Sequence, residues 1–368
     1  MRTLLVLGMA TALLLAQVEL QQAVTLARQG RYAEAGKALA GVPEPTDVAR
    51  RIAFHRLKAA IASGLKKPDL AVQEMHAALA LAPDNADLLL ATAVAELDAA
   101  RLDAALDHAQ SLPESAQREA LLGDIEEKKG NHVAAAKAYE RAVALAPDRE
   151  QYRAAFGIEL IKYQQFQPAI EMLQRSAALF PRSAKIRTTL GIAQYAAGYT
   201  ADAVRTLEDA IAIDPELDAP HRALAEILLQ SSAAPSETTT AMLCAWSHIV
   251  CSALQLRVAR ENGDQKLAGE AIRALQEAPA DNAIGHCELG RAYEWKGDLQ
   301  QARKQMEACV KLDPSPQNHY RLALLYRKLG APELAHKEME LRTAILKQMS
   351  EETSLALNAL QGFEYSAR

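Results

Sequence analysis

The sequence predicts an all-α chain of stacked antiparallel helix hairpins, and three observations carry that reading. Half of the 368 residues are hydrophobic but only 5% are aromatic. The apolar mass is mostly alanine and leucine, which favour helices over strands. Gly123, Gly157 and Gly191 recur every 34 residues, as do Ala135, Ala169 and Ala203, and Pro147, Pro181 and Pro215. Three positions on one period mark a repeat array. The third observation is the order inside a unit. Leu190-Gly191 leads to Gly198, Ala203, Leu207, Ala210 and Pro215, and Leu289-Gly290 leads to Gly297, Ala302, Met306, Cys309 and Pro314.

Each recurring residue has a physical task. Gly on the first helix and Ala on the second let helices approach closely, and the large residues fill the space around those contacts. The Gly between the helices closes the first one in a left-handed cap. Pro ends the second helix. A lone hairpin cannot bury its apolar face, so units must stack.

At the N-terminus, Arg2 precedes an uncharged run from Leu4 to Ala16. That run is short for a bilayer span, which needs about 20 apolar residues, and fits a secretory leader, residues 1–16, cleaved after Ala16 or earlier at Ala10-Thr11-Ala12. The expected location is therefore outside the cytoplasm, periplasmic or secreted. The first Cys is Cys244, which argues against lipid anchoring at the leader. No membrane span is expected in the mature chain.

The 34-residue pattern resembles the tetratricopeptide repeat family, in its exported bacterial type. The match is strong at 116–148, 150–182, 184–216, 283–315 and 316–349. It is weaker upstream. There Gly30, Tyr32 and Ala35 begin a unit ending near Pro43. Ala71, Ala78 and Pro83 fit another, with an insertion around Gly64 to Pro68, and Leu102, Ala105 and Pro113 fit a shortened one. Asp84 and Asp148, each following a Pro, are expected N-caps. The resemblance implies a right-handed superhelix of about ten units over 17–349.

The register is lost between Pro215 and Gly290. Leu224, Ala225 and Leu228 suit a first helix. The Ser/Thr/Pro-rich run 231–240 reads as a loop, 241–261 as one helix, and 263–278 as its partner. The expected organisation is an N-terminal array over 17–230, the loop, a C-terminal array over 241–349, and a capping helix with tail over 350–368 carrying Leu355, Leu357 and Leu360. The interruption is a degenerate repeat, a hinge, or an insertion that touches a ligand.

On one continuous helix Cys244 and Cys251 would stand about 10.5 Å apart along the axis, too far for a disulfide. Cys287 and Cys309 lie on the two helices of one unit, either as small buried residues or as a bridge. No Cys-x-x-Cys, His-Glu-x-x-His, Gly-x-Ser-x-Gly or phosphate-binding Gly loop occurs, so no catalytic residue, metal or cofactor is expected. A net charge of −5 supplies no basic excess for phosphates, which disfavours nucleic acid.

In the family, the first helices line the concave surface. Chaperone-binding members carry Lys and Asn at positions five and nine of a unit. Ala154 and Ile158, or Thr188 and Ile192, stand there instead, so a carboxylate clamp is not implied. The candidate partner-binding residues are the apolar strip Ile158, Ile161, Ile192 and Tyr195 with Lys162, and a second strip of Arg291, Trp295, Tyr320 and Arg327. For each strip, packing between units is the competing reading. The expected function is a non-enzymatic scaffold binding a protein or peptide at the bacterial cell envelope. The alternatives are a substrate-holding accessory subunit of an envelope glycosyltransferase or peptidase complex, or a catalytic site within 231–262 near Trp246 and His248.

Overall fold

A computed structural model describes residues 18–230 and 235–360, and every regular element among them is an α-helix. The expected leader, residues 231–234 and the end of the tail lie outside the described residues, as do the side chains of Leu355, Leu357 and Leu360. The chain divides into two compact units, Met1–Tyr152 and Arg153–Arg368.

The first unit holds α1 (18–28), α2 (Tyr32–Leu39), α3 (Val48–Gly64), α4 (Pro68–Leu81), α5 (Ala86–Asp98), α6 (Leu102–Gln110), α7 (Ala116–Lys128) and α8 (His132–Leu145). α3 pairs with α4, α5 with α6 and α7 with α8. Ala35, Ala78, Ala105 and Ala135 are buried where the helices meet. The first helices are capped by Asp47, Asn85 and Ser115, each accepting a backbone N–H three residues on. Asn85, rather than the expected Asp84, caps α5. Both types suit the role, and the extended backbone falls one residue later.

No insertion separates α3 from α4. Lys66 takes the left-handed turn there, and Ala100 takes it between α5 and α6, where other hairpins use Gly30 or Gly130. Gly64 serves a different end, because a Cβ on it would lie 2.3 Å from the Tyr32 ring.

The second unit holds α9 (Glu150–Lys162) from Arg153 onward, then α10 (Phe166–Leu179), α11 (Ala184–Ala196), α12 (Thr200–Ile213), α13 (Asp218–Gln230), α14 (Glu237–Trp246), α15 (His248–Asn262), α16 (Gln265–Gln276), α17 (Ala283–Trp295), α18 (Leu299–Leu312), α19 (Pro316–Lys328) and α20 (Pro332–Leu360). Gln164, Gly198, Gly263, Gly297 and Gly330 take the left-handed turns. One core runs through α12 to α17, including Leu243 of α14, and a second joins α17 to α20.

The periodic glycines occupy equivalent crossings. A Cβ would lie 2.7 Å from Tyr139 at Gly123, 2.8 Å from Leu173 at Gly157, 2.7 Å from Leu207 at Gly191 and 2.6 Å from Met306 at Gly290. In each case the glycine meets the side chain sixteen residues later. That fixed offset is the hairpin contact the sequence pattern predicts.

The interruption differs from expectation in two ways. Ser236 caps α14, so Thr238, Thr239 and Thr240 are helical rather than loop. The segment 241–261 is two helices, broken at Ser247, whose φ of −146° and ψ of 118° are extended. The break brings Cys244 and Cys251 to a Cα separation of 4.4 Å, and they form a disulfide. The continuous-helix geometry that excluded this bond does not hold. Cys287 and Cys309 are also bridged, their Cα atoms 4.9 Å apart, tying α17 to α18.

Candidate functional site

The candidate site is built on the first helices of the second unit. Gly157 and Gly191 face the second helix of their hairpins, so the next residue turns about 100° away from that seam. Ile158 and Ile192 hold this outward position 34 residues apart and are 37% and 38% exposed. Ile161 is half-buried. Lys162 is exposed, its Nζ 2.8 Å from Oε1 of the buried Glu159. Tyr195 packs partly into the core. Its burial, with Glu226 nearby, raises the phenol above its ordinary range.

The second set has different surroundings. The Arg291 guanidinium pairs with Glu288 and donates to the Leu229 carbonyl at 3.3 Å. The Arg257 guanidinium donates to the Leu228 carbonyl. Two arginines thus cap the C-terminus of α13, where the helix dipole favours cations. Trp295 packs against the core. Tyr320 is exposed under the Arg342 guanidinium, 5.3 Å from the ring centroid. Arg327 is exposed.

A pocket of about 290 Å³ opens between α13 and α17, lined by Arg222, Glu226, Leu229, Ile284, Glu288, Arg291, Asp313 and Asn318, among others. Asn318 donates to Asp313 at 2.7 Å, and the bridged Cys287 forms part of the wall. Glu288 is buried, and burial pushes its carboxyl above the usual range against the opposing pull of Arg291, Arg260 and Arg257. The pocket therefore combines an apolar wall with charges of both signs. It suits a side chain with an apolar stem and a polar tip.

The sequence marks Leu224, Ala225 and Leu228 as a first helix but not the pocket residues beside them. The register in fact continues through α13, which starts 34 residues after α11, so Glu226 is the equivalent of Ile192 and Leu229 of Tyr195. Near the interruption, Trp246 stacks on His221 at 5.3 Å between ring centroids and donates to Asp218 at 3.1 Å, while His248 is exposed. A catalytic site there would require ionisable groups converging near Trp246 and His248; among the described residues Trp246 is held by His221 and Asp218.

Models of the tetratricopeptide repeat match residues 99–150, 160–227 and 283–316. Each of these three stretches is similar to the tetratricopeptide repeat. With the hairpin architecture, the repeats support a tetratricopeptide-repeat protein. Among solved structures, the repeat chain is similar to the apo form of RapI, at 11% identity over 92% of this chain and 99% of that one, with a TM-score of 0.55. It is similar to a tetratricopeptide repeat protein from Parabacteroides merdae, at 12% identity over 79% and 98%, with a TM-score of 0.49. It is also similar to YrrB, described as a TPR protein with an unusual peptide-binding site, at 19% identity over 52% and 96%, with a TM-score of 0.39. The likeness to RapI shows the fold. No curated protein sequence matches the chain. Among the described residues no helix is long and apolar enough to cross a membrane.

Proposed function

We propose that the chain is a non-catalytic scaffold that binds a protein or peptide along the first-helix face of its second unit. The observation that carries this reading is the exposure of Ile158 and Ile192 at equivalent positions of successive repeats, with the next equivalent, Glu226, lining a pocket. Solvent-facing apolar side chains in register mark an interaction surface, and a strip leading toward a pocket suits an extended segment with one anchoring side chain.

We place the protein at the cell envelope, outside the cytoplasm. The leader-like run from Leu4 to Ala16 supports this, as do two disulfides, which persist in oxidising compartments. Affinity purification of the chain from its native host identifies the partner. Ile158→Asp combined with Ile192→Asp removes that partner while helical circular dichroism is retained. Equal recovery by the variant contradicts the proposed face.

A further inference from the structure

We propose that the Cys244–Cys251 disulfide is a reducible clamp that holds the helix break at Ser247, and that its reduction by a dithiol lets α14 and α15 join into one helix. The segment 241–261 contains neither Gly nor Pro, so its own chemistry favours an unbroken helix. One residue, Ser247, interrupts it, and the Ser247 hydroxyl accepts only a long bond, 3.4 Å from Val250 N. In a continuous helix, Cα atoms seven residues apart lie about 10.5 Å apart along the axis. The bridge holds them at 4.4 Å. Bond and straight helix are mutually exclusive, so breaking the bond removes the covalent constraint on the kink.

The two bridges differ in access. Cys244 and Cys251 are half-buried, whereas Cys287 and Cys309 are buried. A dithiol therefore reaches the first bridge before the second. The step balances: the dithiol supplies two electrons and two protons, the Cys244–Cys251 S–S bond breaks to two thiols, and the reductant leaves as its own disulfide. α14 is held mainly along one face. Of its ten residues only Thr239 and Leu243 are buried. Its lateral anchors are Leu243, buried in the core shared with α12, α13 and α15, Thr239 on Glu208, and Trp246 on Asp218 and His221.

Joining the helices offers a gain. Of the first-turn amides of α15, those of His248 and Ile249 have no intrahelical acceptor while the helix starts at His248, and that of Val250 has only the long bond to the Ser247 hydroxyl. In a joined helix they donate to the carbonyls of Cys244, Ala245 and Trp246. The cost is the seat of Trp246 and the repacking of the buried Leu243. Asp218, which accepts from Trp246, also pairs with Arg222, a pocket residue. The redox state of the bridge thereby reaches the pocket through one shared carboxylate.

The test is hydrogen exchange on the full chain across a dithiothreitol series, with alkylation to confirm which bridge has opened. The expected result is that Cys244 and Cys251 are alkylated first, and that amides 248–250 then exchange several-fold more slowly. Cys244→Ser with Cys251→Ser shows the same slowing without reductant. In a Trp295→Phe background, the Trp246 emission shifts on reduction. Local unfolding gives the opposite sign. Faster or unchanged exchange at 248–250 after confirmed reduction overturns the proposal, as does earlier opening of Cys287–Cys309. The readout is backbone exchange, so its failure leaves the binding reading standing, and loss of binding in the Ile158 and Ile192 variant leaves the clamp standing.

Discussion

Leu207 covers Gly191 so closely that a Cβ on the glycine would lie 2.7 Å from Leu207 Cγ and 3.3 Å from the Ala203 carbonyl oxygen. Both neighbours are themselves buried in the same hairpin, so neither has room to withdraw. Gly191→Val is expected to lower stability by roughly 2–3 kcal/mol through overpacking. Gly269, inside α16, is the control, because a Cβ there meets nothing within 4 Å. Gly269→Ala is expected to raise stability by up to about 1 kcal/mol through helix propensity. Urea unfolding of the two variants measures both signs, and a Gly191→Val curve matching the parent would deny the close crossing.

The left-handed turns predict a second pair of opposite effects. Gly198 holds φ at 88° and Ala100 at 57°. A Cβ in that region costs about 1–2 kcal/mol. Gly198→Ala should therefore destabilise by about that amount. Ala100→Gly should stabilise by about 0.5–1 kcal/mol, the relief of strain exceeding the added freedom of the unfolded chain. Thermal melts of the two single variants check this.

Glu288 gives a pH dependence. Burial holds its native carboxyl above the usual range, so between the ordinary and the raised value the native state binds more protons than the unfolded chain. Its contribution is then full below the ordinary value and is lost as pH rises through the raised one. Relative to Glu288→Gln, the parent chain should gain stability as pH falls from neutral toward the carboxylate range. Denaturation midpoints of both proteins across that interval test the sign. A relative loss on acidification would mean that the arginines dominate over burial.

The hairpins were legible because close packing leaves a trace in residue size: only Gly, Ala and Pro satisfy their recurring positions. Elements without that trace were not. Nothing in 241–261 marks Ser247 as a break, since the constraint is a bond between Cys244 and Cys251 that exists only once the chain bends. The turns at Lys66, Ala100 and Gln164 lack the expected glycine. The histidines look scattered in sequence, but His55 bonds Glu74, His286 bonds Gln305 and His319 bonds Glu338, each within one hairpin and nineteen residues on. That spacing was available to be read, and it assigns three of the nine histidines to clamps between paired helices. On the candidate surface, the outward turn after each periodic glycine was legible at Ile158 and Ile192. The pocket needed the register to be followed past Pro215 to Glu226 and Leu229.

Site-specific photo-crosslinking in the native host tests the proposed binding face most directly. A photoreactive residue is placed at position 192, on the first-helix face of α11, and in a second chain at position 179, where Leu179 on the second helix α10 is 60% exposed. Adducts to a protein or peptide are expected from position 192 and not from position 179. Adducts from 179 with none from 192 would contradict the assignment of the binding face.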